Sequence, residues 1–179
     1  TWTSRTSGTS NTLRGVIYVN STFVATGDSG TILTSSNGTT WTSRTSGISY
    51  NLNDITYGNS TFVATGSSGT ILTSSDGSTW TSRIFTYDNG TTTNYTTNSL
   101  NDITYGNSTF VATGSSGTIL TSSDGTTWTS RTSGTSNGLN GVTYGNSTFL
   151  AIGSSGTILT SSDGTTWTTV TVTVTYDNG

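Results

Sequence analysis

Tryptophan recurs at Trp2, Trp41, Trp80, Trp128 and Trp167, so successive gaps are 39, 39, 48 and 39 residues. A period near 40 residues with several short strands per repeat confines the chain to an array of blades. Each blade is one small sheet that cannot bury its faces alone. The second copy gives the pattern: strand-like Asn53–Tyr57, a Gly58-Asn59-Ser60 turn, Thr61–Thr65, then Gly66–Gly69. Thr70–Ser74, an Asp76-Gly77 turn and Thr79–Arg83 complete it. Strands joined every 8–12 residues by Gly, Asn, Asp and Ser predict meandering antiparallel sheets. No segment carries apolar residues at helical spacing.

The first strands align as Gly15–Tyr18, Asp54–Tyr57, Asp102–Tyr105 and Gly141–Tyr144. The second strands carry continuous apolar runs, such as Phe62-Val63-Ala64 and Phe110-Val111-Ala112, and Ile-Leu pairs follow in the third. Unbroken runs predict burial on both faces, as when blades stack face to face. The expected architecture is all-β, with four four-stranded antiparallel propeller-type blades in one domain, residues 1–179. Blades fall at about 13–46, 52–84, 100–133 and 139–175, with a leading strand at 1–7 and an insertion at 84–99.

Composition narrows the chemistry. The chain has no Cys, Met, His or Pro, every positive side chain is Arg and every negative one Asp. Charged residues are 7% with net charge −3, which offers nothing to nucleic acid or anionic lipid. No apolar run approaches the length of a membrane span. Without His, Cys or a carboxylate pair at a suggestive spacing, neither a metal, a cofactor nor a catalytic role is expected.

Four segments carry a second signature: Ser35-Ser36-Asn37-Gly38-Thr39-Thr40-Trp41, Ser74-Ser75-Asp76-Gly77-Ser78-Thr79-Trp80, Ser122-Ser123-Asp124-Gly125-Thr126-Thr127-Trp128 and Ser161-Ser162-Asp163-Gly164-Thr165-Thr166-Trp167. They resemble the Asp-box, or bacterial neuraminidase, repeat of β-propellers. The resemblance implies a hairpin between third and fourth strands, with Asn37, Asp76, Asp124 and Asp163 accepting backbone hydrogen bonds. It also implies that Trp41, Trp80, Trp128 and Trp167 pack between blades. Sialidases share this repeat and use a Tyr–Glu nucleophile pair, which a chain without Glu cannot form.

Other residues carry weaker expectations. Arg5, Arg44, Arg83 and Arg131 each follow a Trp by three residues on the outermost strand. One reading is a ring gripping acidic glycans; the favoured one is pairing with Asp across blades or capping of carbonyls. Asn20, Asn59, Asn107 and Asn146 satisfy Asn-X-Ser/Thr yet occupy the same hairpin turn, where tolerance of left-handed dihedrals explains them. Asn89 and Asn94, in the Thr-rich insertion, are the better candidates for glycosylation. The leading Trp2–Arg5 segment and the alternating Val170, Val172 and Val174 read as unblunted pairing strands for another chain. The phrase Thr-Tyr-Asp-Asn-Gly at 86–90 returns at 175–179, which suggests a longer or polymerising array.

The leading functional expectation is a non-catalytic extracellular or cell-surface structural protein, a fibre or sheath subunit associating with copies of itself. The alternative is a glycan-binding lectin or adhesin with pockets between blades lined by Trp, Tyr and Asn. A third is an assembly scaffold, by analogy with propellers that help build photosynthetic complexes, whose repeats resemble this one.

Overall fold

The computed structural model describes residues 1–83, 86–88 and 93–171, with backbone alone at 86–88 and 93–95. Blade 1 comprises β1 (Leu13–Val19), β2 (Thr22–Gly27), β3 (Ile32–Ser35) and β4 (Thr42–Arg44). Blade 2 comprises β5 (Leu52–Gly58), β6 (Thr61–Gly66), β7 (Ile71–Ser74) and β8 (Thr81–Arg83). A two-stranded hairpin, β9 (Thr86–Asp88) and β10 (Thr93–Tyr95), lies in the insertion. Blade 3 holds β11 (Leu100–Gly106), β12 (Thr109–Gly114), β13 (Ile119–Ser122) and β14 (Thr129–Arg131). Blade 4 holds β15 (Leu139–Gly145), β16 (Thr148–Gly153), β17 (Ile158–Ser161) and β18 (Thr168–Thr169).

Every blade is an antiparallel meander in sequence order. The first strands pack against one another from blade to blade, so they form the inner layer and the fourth strands the outer one. Short turns fix this register. Asn20-Ser21, Asn59-Ser60, Asn107-Ser108 and Asn146-Ser147 all take positive φ, between 42° and 58°, at both central hairpin positions. That is the mirror-image turn whose twist matches the flanking strands, and Asn tolerates it best after glycine.

The cores lie between blades, not within them. Val24 and Ile32 of blade 1 meet Leu52, Ile55, Phe62, Ala64 and Leu72 of blade 2. Val63 and Ile71 then meet Leu100, Ile103, Phe110, Ala112 and Leu120 of blade 3. Val111 and Ile119 meet Leu139, Val142, Phe149, Ala151 and Leu159 of blade 4. The same outgoing pair and incoming set thus recur three times. Removal of this apolar surface from water is what joins the units.

The leading segment departs from expectation. Residues 1–7 form no strand, and Trp2 is fully exposed. A single edge strand has no ladder to join here, because blade 4 already owns β18. Val170 continues that blade, its N–H donating to the Ile158 carbonyl at 2.8 Å. Val172 and Val174 lie outside the described residues.

One flaw recurs in the packing. The hydroxyls of Thr26, Thr65 and Thr113 are buried without a hydrogen-bond partner, whereas blade 4 has Ile152 at the same register position. An unpaired buried hydroxyl costs about 1–3 kcal/mol. Thr113→Val is therefore expected to stabilise the fold by about 1 kcal/mol, read from chemical denaturation midpoints; a loss of stability would show that the hydroxyl is satisfied.

Candidate functional site

The turn before each fourth strand is built around one carboxylate. Asp76 Oδ1 accepts the Ser78 and Thr79 N–H groups, both at 2.8 Å, and the Ser74 hydroxyl at 3.0 Å. Ser74 Oγ in turn accepts the Gly77 N–H at 2.8 Å, and the Trp80 indole N–H donates to the Gly77 carbonyl at 3.0 Å. Asp124 and Asp163 repeat the pattern, down to the Trp128 and Trp167 indoles on Gly125 and Gly164. Asn37 supplies the equivalent oxygen to the Thr39 and Thr40 N–H groups at 2.9 and 3.0 Å. The Trp residues precede the strands, folded back over the turn. Each rests on its blade's own Phe at 6.3–6.4 Å between centroids.

Electrostatics agree with a structural use. The Thr79 and Ser78 N–H groups hold the Asp76 carboxyl down at about 2. For Asp163 the Thr165 hydroxyl and the Thr166 N–H act in the same sense. For Asp124 burial opposes ionisation most strongly among single influences, but the donors of Thr127 and Thr126 together outweigh it. These carboxylates are ionised acceptors of their own turns.

The arginines do not make the expected bonds to Asp or to carbonyls through Nε. Arg44, Arg83 and Arg131 each donate through Nε, at 2.8 Å, to Thr34, Thr73 and Thr121 on the adjacent third strand of the same blade. Arg and Thr are cross-strand neighbours on one sheet face, so the Nε–H finds the hydroxyl first. Arg14 makes the sole ion pair among the described residues, with Asp28. It lowers the Asp28 carboxyl chiefly through its hydrogen bond.

Asp54 and Asp102 are brought together on the inner strands, with no ion pair to an Arg among the described residues. The Ile103 N–H is shared between Asp102 Oδ1 at 2.9 Å and Asp54 Oδ2 at 3.2 Å. Asp102 Oδ2 accepts the Val142 N–H of the next blade at 2.6 Å. Burial, then the hydrogen bond and charge of Asp102, push the Asp54 carboxyl up to about 8. Through the Ile103 and Val142 N–H groups the two carboxylates clasp three blades together. Beside it, Asn53 Nδ2 donates to the Leu100 carbonyl and Asn101 Nδ2 to the Leu139 carbonyl, both at 2.8 Å. Nothing in the spacing marks these side chains as cross-blade donors, although Asn stands at one phase in three repeats.

The spaces between blades differ from those expected of aromatic sugar pockets. Grooves of about 290 and 250 Å³ between blades 1 and 2 and blades 2 and 3 are walled by Thr and Ser hydroxyls, with Arg44 and Asp76 in the first and Arg83 in the second. A wider cleft of about 1030 Å³ beside blade 1 does include Trp41 and Tyr50. Asn20 and Asn59 are engaged across blades, on the Tyr57 hydroxyl and the Ser123 carbonyl. Asn89 lies outside the described residues, and the Asn94 side chain is likewise undescribed.

Inner-to-outer meanders stacked face to face define a β-propeller-type fold. The comparisons with known proteins agree at the level of fold. No family model and no curated protein matches the chain. YCF48 from Cyanidioschyzon merolae is similar in structure, with TM-score 0.66 and 18% identity over 92% of this chain and 57% of that one. The computationally designed Ika4 protein gives TM-score 0.62 and 12% identity over 86% and 92%. The Niastella koreensis GH74 enzyme gives TM-score 0.56 and 24% identity over 88% and 24%. The chain spans just over half the length of YCF48, and its structural neighbours include both enzymes and non-enzymes.

Proposed function

We propose that the chain is a non-catalytic structural subunit that joins copies of itself, outside the cell or at its surface. The observation that carries this reading is how the reactive side chains are spent. Asp76, Asp124 and Asp163 are bound to their own turns, Arg44, Arg83 and Arg131 to neighbouring threonines, and Asp54 and Asp102 to the next blade. A general acid or base needs a group free to reach substrate, and these are committed to backbone or sheet. Abundant Ser, Thr and Asn-X-Ser/Thr sequences suit a glycosylated exterior.

Sedimentation velocity across a concentration series tests the reading. Reversible growth in mass with rising concentration is the expected result; a protein that stays strictly monomeric throughout overturns it. A glycan-binding role is the second reading, favoured by the groove that presents Arg83 among hydroxyls and by its counterpart, where Arg44 stands with Asp76 among hydroxyls. Binding of acidic glycans on an array, weakened by Arg44→Ala and Arg83→Ala, would replace the first reading with the second.

A further inference from the structure

The interfaces inside the chain share one set of keys and holes, used in full at two of the three, since blade 1 carries Val19 and Arg14 where later blades carry glycine and Asn. Tyr105 of blade 3 fills the space over Gly58 of blade 2, and Tyr144 of blade 4 fills that over Gly106 of blade 3; an added Cβ at either glycine would overlap the ring. Val24, Val63 and Val111 lean on the turn glycines of the next blade. An added Cβ at Gly77, Gly125 or Gly164 would lie 3.2, 3.0 or 3.1 Å from the respective Cγ2. Asn53 and Asn101 each bond the first-strand leucine carbonyl of the following blade.

The two ends hold one unmet member of every pair. On blade 4, nothing lies within 4 Å of a Cβ at Gly145, the counterpart of Gly58 and Gly106. Leu150, the counterpart of Val111, is exposed, Ile152 beside it is 49% exposed, and Asn140 is exposed. On blade 1, Tyr18 is 57% and Val16 66% exposed, and Leu13 is exposed, where Leu52, Leu100 and Leu139 are fully buried. Gly38 meets only its own blade's Phe23. Every missing partner of one end stands ready on the other.

We propose that blade 4 of one copy seats blade 1 of a second copy in the inter-blade geometry already repeated three times, and that two copies close one ring. Tyr18 then covers Gly145, Leu150 covers Gly38, and Asn140 donates to the Leu13 carbonyl. Leu150 and Ile158 complete a fourth core with Leu13, Val16, Phe23, Ala25 and Leu33. Such a head-to-tail contact gives a ring where the rotation closes and a filament where it does not. Propellers close with about 4–8 blades. The four described blades leave both end faces open, and two copies of them together carry eight blades, inside that range. This inference rests on the self-association reading and names its seat.

The test combines light scattering and sedimentation on the full chain and on Gly145→Leu, which fills the hole on a surface where the isolated chain has room. The wild type is expected as two copies. Gly145→Leu is expected to keep the wild-type circular dichroism while weakening association about a hundredfold, from overpacking at two seats per ring. Mixing Val16→Arg with Leu150→Asp, each monomeric alone, is expected to restore the two-copy species. A strictly monomeric wild type overturns this inference together with the self-association reading. Association that Gly145→Leu and Val16→Arg leave untouched overturns the seat alone, and open-ended polymers overturn the ring.

Discussion

Replacing Gly106 by alanine is expected to lower the melting temperature by roughly 10 °C, a loss of about 3 kcal/mol. The added methyl falls on the Tyr144 ring of the next blade. That ring is packed against Phe149 at 4.6 Å between centroids, which restricts its retreat. Relief therefore requires prising blade 4 from blade 3, at the expense of the core around Val111, Ile119 and Leu139. Gly145→Ala, the same change one blade later, is expected to shift stability by no more than about 0.5 kcal/mol in the isolated chain, since its methyl meets open space. Thermal denaturation of both variants at low protein concentration checks the contrast. Equal effects would mean that the glycines serve their own strands, not the neighbouring tyrosines.

Stability is expected to fall as pH rises from about 4 to about 8, opposite to the usual behaviour of a chain rich in bound carboxylates. Folding raises the Asp54 carboxyl to about 8, by burial first and by Asp102 second. Between the unfolded and folded values the native protein keeps a proton that the unfolded chain has released. Its contribution is thus complete below about pH 4 and lost by about pH 8. The turn carboxylates act in the other direction. Asp76, Asp124 and Asp163 are lowered, so their contribution is present above about pH 4 and lost on further acidification. The two trends place the stability maximum near pH 4–5. Asp54→Asn, which matches the protonated acid in shape and donors, is expected to flatten the alkaline arm and gain about 3 kcal/mol over the wild type at pH 9. Urea titrations from pH 4 to 9 test this; parallel profiles for the two proteins would place the retained proton elsewhere.

The repeat period, the turn residues and the apolar runs were legible in the chain because they act locally. An Asn-Ser pair takes left-handed dihedrals through its own sterics, and an Asp two or three residues before the N–H groups it accepts finds them without help from the rest of the fold. Four blades and their boxes follow from such short-range rules. The interfaces obey no such rule. That Arg44 lies against Thr34, that Asp54 and Asp102 share one N–H, and that Tyr144 fills the space over Gly106 depend on which strands become neighbours. Nothing in the spacing distinguishes Tyr18 from Tyr144, or Leu13 from Leu139. Only stacking separates them, because burial belongs to the pair of faces in contact, and the first and last blades each present one face with no blade against it.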